Sequence, residues 1–457
     1  MSGPASSKGG PKSPSGSTPE PSDLILTRLH KQAVGRGNAP ALMQRNDAGS
    51  FVPVSWAEYH ELVQSFAAAC IAVGLPVGGA VGIIGDGRVE WVVAALGAMS
   101  AGGMAAGVYQ TATAEQTAYI LGHCEAMVAV IENAAQWDKL EPQLENLPRL
   151  RRVVFMTGEV PESAQKLQSS AGGALGQSWR DFLVSGGAFR DTVEKRVEAL
   201  LPDQVATLIY TSGTTGRPKG VELTHGNWTY EGAGAEAIEL VHRDQLHFLW
   251  LPLSHSFGKV LLAAQMQIGF TTAVDGRVDK IVENLGEIKP HLMAGAPRIF
   301  EKVYASVVSR TEAEGGAKAK IFHWAIGVGK QVAALKEEGK SVPMTLSVQH
   351  SLADRLVYSK VKERMGGRIE TFISGSAALS RDVASWFEAV GLPILEGYGL
   401  TETSAGNCVN RNGKVKVGTV GRPFPGTEVK IASDGEILIR GGGVMRGYYH
   451  LPEQTAE

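Results

Sequence analysis

Cysteine is scarce in this chain. Cys70, Cys124 and Cys408 are the only three in 457 residues, far apart and without a CxxC pair. That excludes a disulfide framework and a cysteine-built zinc site, and it fits a reducing, cytoplasmic setting. The three read as small buried hydrophobes. An excess of charge of one sign is also missing. Forty-four Lys and Arg face forty-six Asp and Glu, a formal net charge of −2, so nothing argues for a nucleic-acid partner. No segment reads as a membrane span. Trp91 to Thr113 carries no charge, but it is rich in Ala and Gly and broken at Gly102-Gly103, which predicts a buried helix followed by a buried strand. Peripheral contact with a membrane stays compatible with that reading. The first 22 residues hold almost nothing apolar and lack the core of a signal peptide, so a disordered tail is expected there. No repeat of fixed period is present.

What is present points to an α/β chain of two or three domains or one large composite domain. Ser55-Trp-Ala-Glu58 reads as a capping box, with Leu62, Phe66, Ala69 and Val73 at helical spacing behind it. A strand is expected at Ala80–Ile84, a helix from about Val89, a strand at Met104–Tyr109, a helix opened by Thr113-Ala-Glu-Gln116, and a strand at Met127–Ile131. That alternation implies a parallel sheet with right-handed crossovers. The pattern resumes after a polar stretch near 158–200, with strands expected at Val205–Tyr210, Leu246–Trp250, Phe270–Val274, His291–Ala294 and Ile369–Ser374. Residues 297–366 read as long helices. From about Val415 short strands with Gly and Pro turns, Glu428–Ile431 and Glu436–Arg440, suggest a small β-subdomain.

The most informative segment is Leu208-Ile-Tyr-Thr-Ser-Gly-Thr-Thr-Gly-Arg-Pro-Lys-Gly220. An apolar strand runs into a loop whose glycines, Gly213 and Gly216, let backbone N–H groups turn toward an anion. Thr211, Ser212, Thr214 and Thr215 can donate to phosphate oxygens, and Lys219 adds a point charge. Pro218 precedes the lysine where a Walker A loop has Gly, so this is a different phosphate loop.

This string resembles the signature loop of the AMP-forming acyl- and aryl-activating enzymes, in which it holds the β- and γ-phosphates of ATP. Ser374-Gly-Ser-Ala-Ala-Leu379 and Glu396-Gly-Tyr-Gly-Leu-Thr-Glu-Thr403 match further motifs of that family in the right order. The resemblance implies that Gly375, Ser376 and Ala377, with Gly397 and Gly399, line the adenine and acyl site. It also implies that Tyr398 stacks on adenine, Thr401 contacts the α-phosphate, and Glu402, with Thr211, holds Mg²⁺. An aromatic face suits a purine and a hard carboxylate suits Mg²⁺. His255 in Leu251-Pro-Leu-Ser-His-Ser-Phe-Gly258 would border the carboxylate and α-phosphate, and it follows a strand, where α/β sites gather. His255, Lys219 and Thr401 are therefore the expected catalytic residues. Gly435–Gly441 through Tyr449 resembles the family's β-subdomain, with Gly442 where a proline is common.

Lys289–Tyr304, Asp86–Trp91 and Tyr109–Gln116 resemble the long-chain fatty acyl-CoA synthetase branch, although the gate tryptophan of some of its members has no counterpart after His255. The resemblance covers about 24–457. It implies the large domain of an adenylate-forming enzyme: two helix-covered, mostly parallel sheets plus the β-subdomain. It also implies a chain that stops before a Gly-Trp-x-x-Thr-Gly-Asp motif and a small C-terminal domain carrying the catalytic lysine. The implied reaction joins a long-chain fatty acid to ATP and then to coenzyme A. Two other readings stand beside it: a fatty acyl-AMP ligase that loads a carrier protein, and a non-catalytic nucleotide- or acyl-binding remnant.

Overall fold

A computed structural model describes residues 23–46, 48–211 and 216–457. The tail expected at 1–22 and the loop residues Ser212, Gly213, Thr214 and Thr215 lie outside the described residues. Two large sheets organise the chain. The eight-stranded sheet runs, from edge to edge, Gly447–Tyr448, Lys219–Thr224, Val205–Thr211, Met104–Val108, Ala80–Ile84, Val128–Ile131, Arg152–Phe155 and Gly176–Ser178. All its neighbours are parallel except the first two pairs. The nine-stranded sheet runs Arg422–Pro423, Cys408–Val409, Ile394–Tyr398, Thr371–Ser374, Leu292–Gly295, Leu246–Leu249, Thr271–Val274, Pro40–Arg45 and Phe51–Ser55. Its five central strands and Pro40–Arg45 pair in parallel.

One hydrophobic core joins both sheets, through residues such as Val81 and Ile83 on one and Phe248, Ala273 and Phe372 on the other. Helices fill the space between. Val89–Ser100 is buried at every position but Glu90, and Ser256–Ile268 is buried over most of its length. A helix apolar all round has no water-facing side to offer, so it must be covered on every face. This accounts for Trp91–Thr113 as a buried helix plus a buried strand; no described helix is long and apolar enough to cross a membrane. The approach is close at Gly107, where a Cβ would lie 2.7 Å from Ser254 Cα and 3.2 Å from Trp91. A second cluster packs under Ala114–His123 and Ala134–Leu140 on the other face of the eight-stranded sheet.

Local signals place the elements. Ser55 and Thr113 each close a capping box on the backbone of Glu58 and Gln116, starting their helices where the sequence predicts. The expected strands appear within one or two residues, and the cysteines are free and buried. Residues 297–366 form helices Pro297–Glu314, Gly316–Glu337 and Met344–Ala353, the last continued through a π-turn at Asp354–Tyr358. The segment after Val415 is spread over three places. Arg422–Pro423 joins the edge of the nine-stranded sheet, Gly447–Tyr448 joins the edge of the eight-stranded one, and Glu428–Ile431 with Ile437–Arg440 forms a two-stranded hairpin. Phe424, buried in the main core, ties this segment down.

Phe66 is a test of how the buried helices are locked. It is fully buried, stacks on Trp179 at 5.4 Å, meets Phe182 edge-on at 5.2 Å, and occupies the space a side chain at Gly97 would need. Phe66→Ala is expected to cost about 3–5 kcal/mol, read as a lower urea midpoint at unchanged slope.

Candidate active site

A cavity of about 410 Å³ opens beyond the C-terminal ends of Thr371–Ser374 and Ile394–Tyr398, where parallel α/β sheets gather their sites. Its lining divides by chemistry. Thr211, Lys219, His255, Ser256, Thr401, Glu402 and Tyr448 make a polar end, and Gly375, Ser376, Gly397, Tyr398 and Gly399 form its backbone wall. Ala235, Leu240, Val260, Leu261, Ala264, Ile373, Val409 and Phe424 make an apolar end. The structure thus brings together ten expected site residues: Thr211, Lys219, His255, Gly375, Ser376, Gly397, Tyr398, Gly399, Thr401 and Glu402. Gly216 and Ala377 do not line the cavity.

The phosphate loop is anchored by pairing. Thr211 lies directly opposite Lys219 on antiparallel strands, so the loop leaves and re-enters the sheet at one point. Lys219 Nζ sits 4.3 Å from the centre of the Tyr448 ring, a cation–π contact. The Tyr448 hydroxyl donates to Glu402 Oε1 at 2.8 Å. Burial, and then this hydrogen bond to a carboxylate, push the phenol up to about 12, so it stays a donor at neutral pH. Lys219, Tyr448 and Glu402 therefore form one fixed chain of cation, ring and carboxylate. Tyr448 is a site residue that sequence reasoning assigned to scaffold; the signal was its place on the strand paired beside the one that begins with Lys219, invisible along the chain.

His255 caps the helix Ser256–Ile268. Its Nδ1 accepts the Phe257 N–H at 3.1 Å. An accepting Nδ1 puts the proton of the neutral ring on Nε2. Burial lowers the histidine's pKa, so the neutral ring is the form held at pH 7. The N-terminus of this thirteen-residue helix, with Ser256 and Phe257 on the cavity wall, adds a positive dipole end. Thr401 Oγ1 lies 3.4 Å from Ser256 Oγ.

Backbone strain concentrates here. Ser376, Ser404 and Ala405 have φ of 71°, 60° and 82°. The Ser404 hydroxyl donates to Gly443 O at 2.7 Å, which helps hold the turn. A Cβ at Gly399 would lie 1.5 Å from Ala405 O, so only glycine fits. Likewise Tyr230 fills the space beside Gly442, where a proline's ring would collide. The Ser374 hydroxyl is buried at the cavity with no partner among the described residues, a polar atom free for a ligand. No cluster of three metal-ligating side chains occurs among the described residues. Glu402 and Thr211 on one cavity wall fit Mg²⁺, which takes one or two protein oxygens and the rest from phosphates and water.

A family profile described as AMP-binding enzyme matches residues 29–449. Among curated proteins, the long-chain-fatty-acid–CoA ligase FadD15 of Mycobacterium tuberculosis is 32% identical over 420 residues, 91% of this chain and 67% of the relative. The human long-chain-fatty-acid–CoA ligase ACSBG2 is 31% identical over 449 residues, 95% of this chain and 65% of the relative. The chain thus spans about two thirds of the length of these relatives. Among solved structures, a long-chain-fatty-acid–CoA ligase (FadD1) from Archaeoglobus fulgidus superposes with a TM-score of 0.72 at 19% identity, covering 97% of this chain and 79% of that one. The N-terminal domain of FACL13 from Mycobacterium tuberculosis gives a TM-score of 0.66 at 17% identity, covering 95% and 93%. These structures share the two-sheet fold.

Behind the cavity wall sits Glu231, fully buried, with neither carboxyl oxygen hydrogen-bonded among the described residues. It is pressed against Gly406 and Gly443, where a Cβ would come within 2.1 and 2.6 Å of its oxygens. Burial raises its pKa well above the ordinary 4.5. Stability from the neutral acid is complete below that ordinary value and is lost as pH rises through the folded one. Glu231→Gln is therefore expected to match the parent at about pH 4 and to gain stability relative to it as pH rises. Parallel unfolding curves for the two proteins across that range would contradict this.

Proposed function

We propose, for a chain that belongs to the AMP-binding enzyme family, that this cavity activates a long-chain fatty acid with ATP to acyl-AMP and pyrophosphate and then supports transfer of the acyl group to coenzyme A. One observation carries the reading: a single cavity has a phosphate-type polar end and an apolar end deep between the helices. A fatty acid is the substrate whose two ends match those two environments.

In this reading the carboxylate lies near His255 and Thr401 with its chain toward Val260, Leu261, Ala264 and Phe424. A carboxylate oxygen attacks the α-phosphorus in line, and the bond to the bridging oxygen breaks, releasing pyrophosphate. Lys219 and the loop from Thr211 hold the departing phosphates, while the His255 Nε2–H and the helix N-terminus stabilise charge gathering on the α-phosphate. Tyr398 stacks on adenine. Mg²⁺ on Glu402 and Thr211 would neutralise phosphate charge. Tyr448 keeps Lys219 and Glu402 apart so that neither quenches the other, since a direct ion pair would leave less charge for ligand. The thiol of coenzyme A then attacks the acyl carbon and AMP leaves. In this reading the described residues serve as the large domain of the enzyme. Buried thiols and the charge balance fit a cytoplasmic setting.

Palmitate-dependent ATP–pyrophosphate exchange is the direct test; exchange supported equally by acetate would remove the long-chain reading. Lys219→Ala is expected to weaken MgATP binding by about 1.5–3 kcal/mol in calorimetry. Equal affinity in variant and parent would remove Lys219 from the phosphate site.

A further inference from the structure

The phosphate loop leaves the sheet at Thr211 and returns at Lys219, and one helix outside the cavity touches both of its stems. That helix, Ala114–His123, starts at the Thr113 capping box. Ile120 and Leu121 hold it to the eight-stranded sheet, with Leu121 filling the space beside Gly82 of a central strand. Tyr119 and His123, four residues apart, lie on one face of the helix with their ring centres 5.6 Å apart. Neither lines the cavity.

On the returning stem, the Tyr119 hydroxyl donates to Pro218 O at 3.1 Å, and the Arg217 guanidinium lies 5.3 Å from the centre of the Tyr119 ring. On the outgoing stem, His123 Nδ1 and the Tyr210 hydroxyl share a hydrogen bond of 2.9 Å. The Tyr210 ring lies against Gly220, its cross-strand partner, where a Cβ would come within 3.2 Å of it. The Tyr449 N–H donates to Gly220 O at 2.8 Å, and the Tyr449 ring meets His123 edge-on at 5.7 Å. Aromatic clusters usually mean packing alone. Here two polar bonds from one helix face end on Tyr210 and Pro218, the residues next to Thr211 and Lys219, one before the loop and one after it. A loop of glycine and hydroxyl residues has little shape of its own, so its geometry toward a ligand depends on where its ends are held.

We infer that Tyr119 and His123 are positioning residues for the phosphate end of the cavity: they hold the two stems so that Lys219 and the loop meet the β- and γ-phosphates without further ordering. This rests on the adenylate reading of the cavity. AMP carries only the α-phosphate and does not reach that end, so comparing MgATP with AMP separates positioning of the loop from general support of the fold. The test is calorimetry of each nucleotide with the parent, Tyr119→Phe, His123→Leu and His123→Asn. Tyr119→Phe and His123→Leu are expected to weaken MgATP about three- to tenfold, the size of one lost hydrogen bond, and to leave AMP at the parent's affinity. His123→Asn, whose amide can donate or accept near the Nδ1 position, is expected to recover the parent's MgATP affinity. Equal MgATP affinity in Tyr119→Phe and parent, or loss of MgATP and AMP alike in that variant, would overturn the inference and leave the adenylate reading standing. A parent that binds neither nucleotide would overturn both.

Discussion

Everything at the site follows from helices that have no outside. Because Val89–Ser100 and Ser256–Ile268 are covered on nearly every face, the two sheets must close over them, and they do so at glycine-level contact. The Gly107–Ser254–Trp91 approach fixes where Ser256–Ile268 begins. Its beginning is a functional coordinate, since the helix start carries His255, Ser256 and the dipole end into the cavity. The same helix supplies Val260, Leu261 and Ala264 to the apolar end. One buried helix thus sets the distance between the polar and apolar halves of the cavity, and a shift of its register would move both together.

The second constraint joins parts of the chain that are remote in sequence. Tyr448 lies on the short strand that closes one edge of the eight-stranded sheet, beside the strand that begins with Lys219. Glu402 comes from the turn after the strand Ile394–Tyr398 of the other sheet. The Tyr448 hydroxyl and ring link these two sheets through one side chain. Met445 N–H on the Glu402 carbonyl, at 2.8 Å, and Asn227 on the Gly442 and Val444 carbonyls, at 2.8 and 3.0 Å, hold the returning segment in place. The segment after Val415 therefore does more than cap the fold: it delivers the tyrosine that separates the site's cation from its carboxylate.

Much of this was legible in the sequence where the signal is local. Capping boxes at Ser55 and Thr113 and buried apolar runs such as Ala80–Ile84 state their structure within a few residues. The glycine-rich motifs could be placed on strand ends because strands precede them. What was not legible is either amphipathic or long-range. The edge hairpin Pro40–Arg45 with Phe51–Ser55 was missed because it is half exposed and carries two prolines, which edge strands tolerate and which mask the strand pattern. The strand Lys219–Thr224 hid behind the motif that precedes it. Tyr448 gained its place from tertiary contacts alone, and Ser212 to Thr215, which the sequence marks most strongly, lie outside the described residues. Gly399 shows the two kinds of signal overlapping. The motif suggests a ligand-facing glycine, and the structure adds that Ala405 O leaves no room for any side chain.

The electrostatic character of the cavity narrows what it can do. Its wall holds one lysine and one carboxylate, and Tyr448 keeps them linked but apart. The remaining polar groups are neutral under ordinary conditions: a histidine held neutral by burial, hydroxyls of Ser256, Ser374 and Thr401, and the dipole end of a helix. Glu231, a further carboxyl behind the wall, has its pKa raised by the same desolvation. A site rich in fixed cations would bind a carboxylate and a triphosphate tightly before reaction and gain little afterwards. Oriented neutral donors respond more to the charge that develops as the two anions meet, and they need no reorganisation when it does. With its far end apolar, the cavity rewards a ligand that is anionic at one end and hydrocarbon at the other. It penalises one that would carry charge into the deep end, because Val260, Leu261 and Phe424 offer it no partner.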